Sequence, residues 1–184
     1  MRLVIAGPCG VGKSVISKKV AEQCGIVYLD FDEIGIRSFE ERKGEISPCS
    51  VSYLDLEKCI KPTLDVHAEA FILDIGGSTV FRPGVNNDDR LSQIIWLKNS
   101  YNARVMLITA DKNTVLNRFL VRKGRKFQEF EPIWDSWVHF EKPYWELCAD
   151  MVLDTTSFEL HEVDEGFYLA TFLNKLNELG KKHE

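Results

Sequence analysis

No apolar run in this 184-residue chain approaches the roughly 18 residues of a membrane-spanning helix, so no membrane partner is expected. The five cysteines, Cys9, Cys24, Cys49, Cys59 and Cys148, are odd in number and form no C-x-x-C pair. A disulfide framework or zinc-type site is therefore not expected, and thiols suit a reducing compartment. The four histidines form no spaced cluster. Repeats with the 20–50-residue period of solenoids are absent. The opening MRLVIAGPCG lacks the longer apolar core and cleavage site of a signal peptide, which predicts a cytoplasmic protein. Positive charge is also in deficit, with 23 Lys and Arg against 28 Asp and Glu and a net charge of −5. That balance argues against broad nucleic-acid binding, although a local basic pocket can still hold a nucleotide.

What is present is ordinary globular composition, 45% hydrophobic and 28% charged, without a linker. Residues 1–184 are expected to form one domain. Short apolar runs at Leu3–Ala6, Ile26–Leu29, Phe71–Ile75, Arg104–Ile108 and Met151–Leu153 read as buried strands. Helical segments alternate with them: Ser14–Gln23, Val51–Ala68 with Pro62 inside, Leu91–Tyr101, Asn113–Val121, Pro132–Cys148 with a break near Pro143, and a closing Glu159–Leu179. This alternation predicts an α/β fold with three layers, a five-stranded parallel sheet between helices. Ligands of such sheets bind beyond the carboxyl ends of the strands.

Gly7-Pro8-Cys9-Gly10-Val11-Gly12-Lys13-Ser14 fits G-x-x-x-x-G-K-[ST] between a strand and a helix, the context of a phosphate-binding P-loop. Glycines let several backbone N–H groups converge on one phosphate. The helix N-terminus adds partial positive charge. Lys13 is expected at the β- and γ-phosphates of ATP and Ser14 on Mg²⁺. Cys9 occupies a variable loop position and reads as a small filler rather than a redox switch.

After the second strand, Leu29-Asp30-Phe31-Asp32-Glu33-Ile34 places two carboxylates two residues apart. A continued pleat directs both to one side. With this strand beside the first, both face the phosphates. One then suits the magnesium shell and the other a proton acceptor for a substrate hydroxyl. A solvated turn is the competing assignment.

The loop and this D-x-D together resemble the shikimate kinase and gluconate kinase branch of the nucleoside-monophosphate-kinase-like P-loop enzymes. That resemblance implies Asp30 in the magnesium shell and Asp32 at the acceptor hydroxyl as candidate base. The third strand, Phe71-Ile72-Leu73-Asp74-Ile75, ends in a carboxylate where a second magnesium-directed Asp belongs. Gly76 and Gly77 then admit close backbone approach to the acceptor. Shikimate kinases carry three glycines here. Adenylate kinases carry Asp and Gly, then Phe-Pro-Arg, and Arg82-Pro83-Gly84 makes this chain similar to a blend of the two. Arg118 to Lys126 packs five cations into nine residues of an acidic protein. They are expected to neutralise the transferring phosphoryl group from a mobile lid at about 122–132. The resemblance implies one arginine on adenine and another, seven residues on, at the phosphates. Arg118 and Arg125 have that spacing, and Arg122 competes for either role.

The resemblance is weaker for the acceptor. Lys142-Pro143-Tyr144-Trp145 resembles the shikimate kinase C-terminal pattern, but Glu141 stands where an arginine grips the substrate carboxylate. The family's F-R-x-x-E segment has no counterpart; Tyr53-Leu54-Asp55-Leu56-Glu57 is nearest. The expected acceptor is therefore a small molecule other than shikimate, neutral or cationic, or bound through Arg37, Arg42 or Arg82. Trp134, Trp137, Phe140, Tyr144 and Trp145 have near-helical spacing and read as core or lid packing. A small-molecule kinase accounts for these features together. A nucleoside monophosphate kinase is the alternative, with Arg37, Arg42 and Arg82 at the acceptor. A GTP-dependent switch ranks lower, since no N-K-x-D reads guanine, as does a non-catalytic nucleotide-binding protein. The assembly expected is a monomer or homodimer.

Overall fold

Buried hydrophobic strands with side chains alternating to two faces need cover on both sides, and that demand organises this chain. The computed structural model describes residues 1–35, 56–81, 83–121, 125–157 and 174. Five strands, β1 (Arg2–Ala6), β2 (Val27–Asp30), β3 (Phe71–Asp74), β4 (Arg104–Thr109) and β5 (Met151–Asp154), form one sheet in the order β2-β3-β1-β4-β5. Every pairing is parallel.

The helices are α1 (Lys13–Cys24), α2 (Leu56–Val66), α3 (Gly77–Val80), α4 (Asn87–Tyr101), α5 (Lys112–Val121), α6 (Phe127–Ser136) and α7 (Lys142–Cys148). A π-helical segment, Trp137–Glu141, joins α6 to α7. One face of the sheet sends Leu3, Ile5, Ile72, Met106 and Ile108 against Ile16 and Val20 of α1, Val115 and Phe119 of α5 and Phe130 of α6. The other sends Val4, Ala6, Phe71, Leu73, Val105 and Leu107 against Ile60 and Leu64 of α2, Ile94 and Leu97 of α4, Trp137 and Trp145. The expected three layers are therefore present.

Several boundaries differ from expectation. Helix α4 starts before Leu91 because Asn86 caps it, its side chain accepting from the Asp89 amide, with Asp88 and Asp89 in the first turn. The break expected at Pro143 lies upstream. Pro143 sits in the first turn of α7, where its missing N–H costs little. The distortion is the wider π turn before it, in which the Lys142 amide donates to the Trp137 carbonyl. Helix α6 starts at Phe127 rather than at the expected Pro132, with Phe130 at 1% exposure. The closing helix Glu159–Leu179 and the start of Val51–Ala68 lie outside the described residues, apart from a helical residue 174.

The expectation that β2 lies beside β1 is also overturned. Strand β3 sits between them, so β2 is an edge strand. The apolar β3 is buried at all four positions and takes the more enclosed place, whereas β2 is fully buried only at Leu29. The consequence favours the site, because the β2–β3 register sets Asp30 directly opposite Asp74.

Candidate active site

The loop after β1 curls because its glycines adopt conformations closed to other residues. Gly7 has φ 152°, and a Cβ there would stand 2.2 Å from the Ile108 carbonyl oxygen, a backbone atom that cannot yield. Gly12 is left-handed, φ 103°, and starts α1 directly behind the loop. The Lys13 side chain is buried and folds back over the loop. Its Nζ donates to the Gly7 and Pro8 carbonyls at 2.9 and 3.0 Å. The Gly7–Ser14 constellation is thus a helix N-terminus with a folded-back lysine, the geometry that receives a polyphosphate.

Asp74, at the carboxyl end of β3, is 5% exposed. Burial raises its pKa; Lys13 and the hydroxyls of Ser14 and Tyr28 pull it down, and Asp30 pushes it up. This set of influences identifies the neighbours: Lys13, Ser14, Tyr28 and Asp30 all gather around it. Tyr28 on β2 is the hinge of the group. Its hydroxyl lies 3.3 Å from Asp30 Oδ2 and 3.2 Å from Asp74 Oδ2. Burial, then the Asp74 and Asp30 charges, push the phenol pKa up, so it stays protonated and able to donate. Asp74 Oδ1 is buried with no hydrogen-bond partner.

An orphaned carboxylate oxygen beside a second carboxylate and a serine hydroxyl is an all-oxygen donor set. It fits Mg²⁺, which takes one or two carboxylates and completes its shell with water and phosphate oxygens. Among the described residues no group of three or more His, Cys, Asp or Glu side chains is placed to hold a metal. Ser14, Asp30 and Asp74 are the residues that would hold the ion.

Asp30 and Asp32 do not share a continued pleat. The chain turns into helix at 31–35, and Asp30 Oδ1 accepts from the Asp32 and Glu33 amides at 2.9 and 3.4 Å. Asp30 is thus a helix cap as well as a metal candidate. Asp32 is turned instead to the next loop, where its Oδ1 accepts from Thr79 Oγ1 of α3 at 3.1 Å. Gly76 makes that approach possible. A Cβ there would meet Thr79 Oγ1 at 2.6 Å and Asp32 Oδ2 at 3.6 Å. Gly77 opens α3.

Glu141, at the end of the π segment, is 2% exposed and accepts from Ser136 Oγ at 3.0 Å. Burial pushes its pKa up to about 7, opposed by the Ser136 hydrogen bond and the Lys13 charge.

Arg118 lies on the opposite flank of the loop. Its guanidinium donates to the Val11 carbonyl at 3.2 Å, to Thr155 Oγ1 at 3.0 Å and to the Thr155 carbonyl at 2.6 Å. It joins the phosphate loop to the segment after β5. Arg125 is not brought to the loop by any described contact. It is half exposed, 3.8 Å from Glu129, with its guanidinium 5.4 Å from the centre of the Phe119 ring. Arg82, Arg122, Arg37 and Arg42 lie outside the described residues. The aromatic residues divide as expected of packing: Trp137 and Trp145 are buried, Tyr144 stacks on Phe81 at 5.1 Å, and Phe140 is exposed.

Sequence reasoning missed Tyr28, Thr79 and Thr155. Only for Tyr28 was there a signal, a tyrosine two residues before Asp30 and so on the same side of the strand.

No family model matches the chain. It is 30% identical over 170 residues to a cytidylate kinase of Aeropyrum pernix, covering 90% of each chain. It is 26% identical over 166 residues to a shikimate kinase of Stenotrophomonas maltophilia, covering 85% of this chain and 83% of the relative. The fold matches a shikimate kinase crystal structure from Bacteroides thetaiotaomicron with a TM-score of 0.61 and 16% identity, covering 97% of this chain and 98% of that one. With the phosphate loop, the two strand-end aspartates and the parallel sheet order, these similarities identify the chain as a member of the nucleoside-monophosphate-kinase-like P-loop kinases, in the shikimate kinase and gluconate kinase branch.

Proposed function

We propose that this protein is an ATP- and Mg²⁺-dependent small-molecule kinase whose acceptor is not shikimate. The observation that carries it is the convergence of Lys13, Ser14, Tyr28 and Asp30 on Asp74, with Asp32 held by Thr79 beside them. Lys13 and the loop amides bind the β- and γ-phosphates, and bound Mg²⁺, held by Ser14, Asp30 and Asp74, supplies neutralising charge. The acceptor hydroxyl attacks the γ-phosphorus as the bond to the β-bridging oxygen breaks. Asp32 takes the hydroxyl proton, ADP leaves, and the phosphorylated acceptor remains. Arg118 or Arg122 flanks the base, and Arg125 closes on the phosphates once they are bound. Gly76, Gly77 and Arg82 line the acceptor. The single domain acts as a monomer or homodimer in the cytoplasm.

Glu141 speaks against shikimate. It stands where the shikimate kinase pattern has the arginine that grips the substrate carboxylate, and a buried carboxyl offers that group no counter-charge. A nucleoside monophosphate kinase is the second reading, favoured by the 30% identity to the cytidylate kinase. It needs cations for the acceptor phosphate, for which Arg37, Arg42 and Arg82 are candidates.

The test is ADP release from MgATP by the purified chain, screened against separate pools of polyols, hydroxy acids, amino alcohols and nucleoside monophosphates. Stimulation by one pool establishes the kinase and its acceptor class; a monophosphate response promotes the second reading. Lys13→Ala is expected to lower turnover by about a hundredfold or more with folding intact. Near-normal turnover in that variant refutes the role of Lys13.

A further inference from the structure

Asp32 is tied down at two points. Its amide donates to Asp30 Oδ1 at 2.9 Å, and its own Oδ1 accepts from Thr79 Oγ1 at 3.1 Å. An ionised carboxylate only accepts, so the threonine hydroxyl is the donor of that bond. Among the described residues, Thr79 is the side chain that bonds the Asp32 carboxylate, and Oδ2 stays open. That second oxygen faces the bare Cα of Gly76, where a Cβ would stand 3.6 Å from it.

Thr79 is itself firmly mounted. Its amide donates to the Gly76 carbonyl at 3.0 Å, closing the turn of α3. The next two residues, Val80 and Phe81, are buried in the core. The Phe81 ring stacks on Tyr144 at 5.1 Å and meets Trp145 edge-on at 5.0 Å. A β-branched side chain on such a turn has little freedom about χ1. An aspartate by contrast turns easily about χ2, and the Thr79 bond removes that freedom at Asp32.

We infer that Thr79 is a positioning residue for the transfer step: it holds Asp32 Oδ1 and so makes Oδ2 the oxygen that takes the acceptor proton. This rests on the kinase reading above and assigns atoms within it. The acceptor oxygen bonds to the γ-phosphorus, the bond from that phosphorus to the β-bridging oxygen breaks, and the hydroxyl proton passes to Oδ2. The Thr79 proton stays on Thr79. Without that donor the carboxylate rotates and spends less time in the productive geometry. Turnover then falls, while nucleotide binding, which belongs to Lys13 and the loop, does not.

ADP release from MgATP is followed with glycerol, serinol, glycerate, CMP and water as acceptors, and MgATP affinity is measured by calorimetry. The proteins are the wild-type chain, Thr79→Val, Thr79→Ser, Asp32→Ala and the Thr79→Val, Asp32→Ala pair. Thr79→Val keeps the shape and removes the donor. It is expected to lower kcat by about tenfold with the acceptor that turns over fastest, as loss of a hydrogen bond to a charged group does, with MgATP affinity within about twofold of wild type. Thr79→Ser, which keeps the hydroxyl, is expected to recover most of the loss. With Asp32→Ala already present, Thr79→Val is expected to change kcat by less than about twofold, because the carboxylate it served is gone. A purely structural role for Thr79 would give the same loss in both backgrounds. If Thr79→Val does not fold, the cycle is run with Thr79→Ala. Unchanged kcat in Thr79→Val, no recovery in Thr79→Ser, or equal losses in the two backgrounds overturns the inference; where Asp32→Ala alone is slow, the kinase reading stands. Wild-type turnover in Asp32→Ala overturns the base assignment and the inference with it. Absence of ADP release from bound MgATP with every acceptor overturns the kinase reading as well.

Discussion

Tyr28 shows how much one hydroxyl decides. It lies within hydrogen-bond distance of Asp30 and Asp74, the two carboxylates that would hold magnesium. Two anions this close repel, and a donor between them steadies both. A tyrosine in a strand passes as core packing, so the sequence marks the two aspartates but not the group that sets their spacing. Tyr28→Phe keeps the ring and removes the donor. Outer-shell donors typically change metal affinity by about 10- to 100-fold. The half-saturating Mg²⁺ concentration for turnover is therefore expected to rise by at least about tenfold, with kcat at saturating Mg²⁺ little changed. An unchanged Mg²⁺ titration would show that Tyr28 only packs. The shape of the glycine loop, by contrast, was legible, because its glycines, Lys13 and Ser14 are contiguous and its curl follows from local backbone geometry.

Whole elements were read less completely than motifs. All five strands lie within a residue of the apolar runs that predict them. The D-x-D was legible as a pair, but its geometry was not. Asp30 caps the helix that begins at 31, so Asp32 turns toward α3 rather than continuing the pleat. Helix α3 was not expected at all; at four residues it is too short for periodicity to reveal. Its place depends on Gly76. Gly76→Ala puts a methyl 2.6 Å from Thr79 Oγ1. Thr79 must then move and release Asp32. Misplacing a catalytic group by a fraction of an ångström to an ångström lowers turnover by about 10- to 100-fold. We expect that loss in kcat with MgATP affinity preserved, read by steady-state kinetics and calorimetry. A variant with unchanged kcat would detach α3 from the acceptor site. The π segment escaped sequence reading for a similar reason, since Pro143 marks a disturbance without saying on which side the helix widens.

Across the molecule, Glu141 links the site to folding. Its carboxyl titrates at an ordinary 4.5 when unfolded and at about 7 in the fold, with burial the chief cause. The folded state then holds a proton that the unfolded chain has released. Its contribution to stability is fully present below about pH 4.5 and is lost as pH rises through about 7, a difference on the order of 3 kcal/mol. Glu141→Gln mimics the protonated form at every pH. The wild-type chain is therefore expected to lose stability relative to Glu141→Gln between about pH 4.5 and 7.5, followed by urea denaturation without nucleotide. Parallel pH profiles for the two proteins would place the carboxyl in a solvated setting instead.

The kind of protein was readable from the chain alone: apolar runs alternating with helical segments, one glycine loop and two strand-end aspartates suffice for a parallel P-loop sheet and a phosphate site. These signals are local, carried by neighbouring residues and by the periodicities of strand and helix. The pairing of β2 with β3, the Asp30–Asp74 register, the Tyr28 bridge and the charge of Lys13 felt at Glu141 join residues from 44 to 128 positions apart, by difference of their numbers in the chain. Such contacts are chosen by competition among strands and helices for cover, a property of the whole packed chain that no local pattern encodes. The surroundings of Asp74 and Asp32 are built from them, which is why the glycine loop was legible from the start and what gathers around it emerged only from the fold.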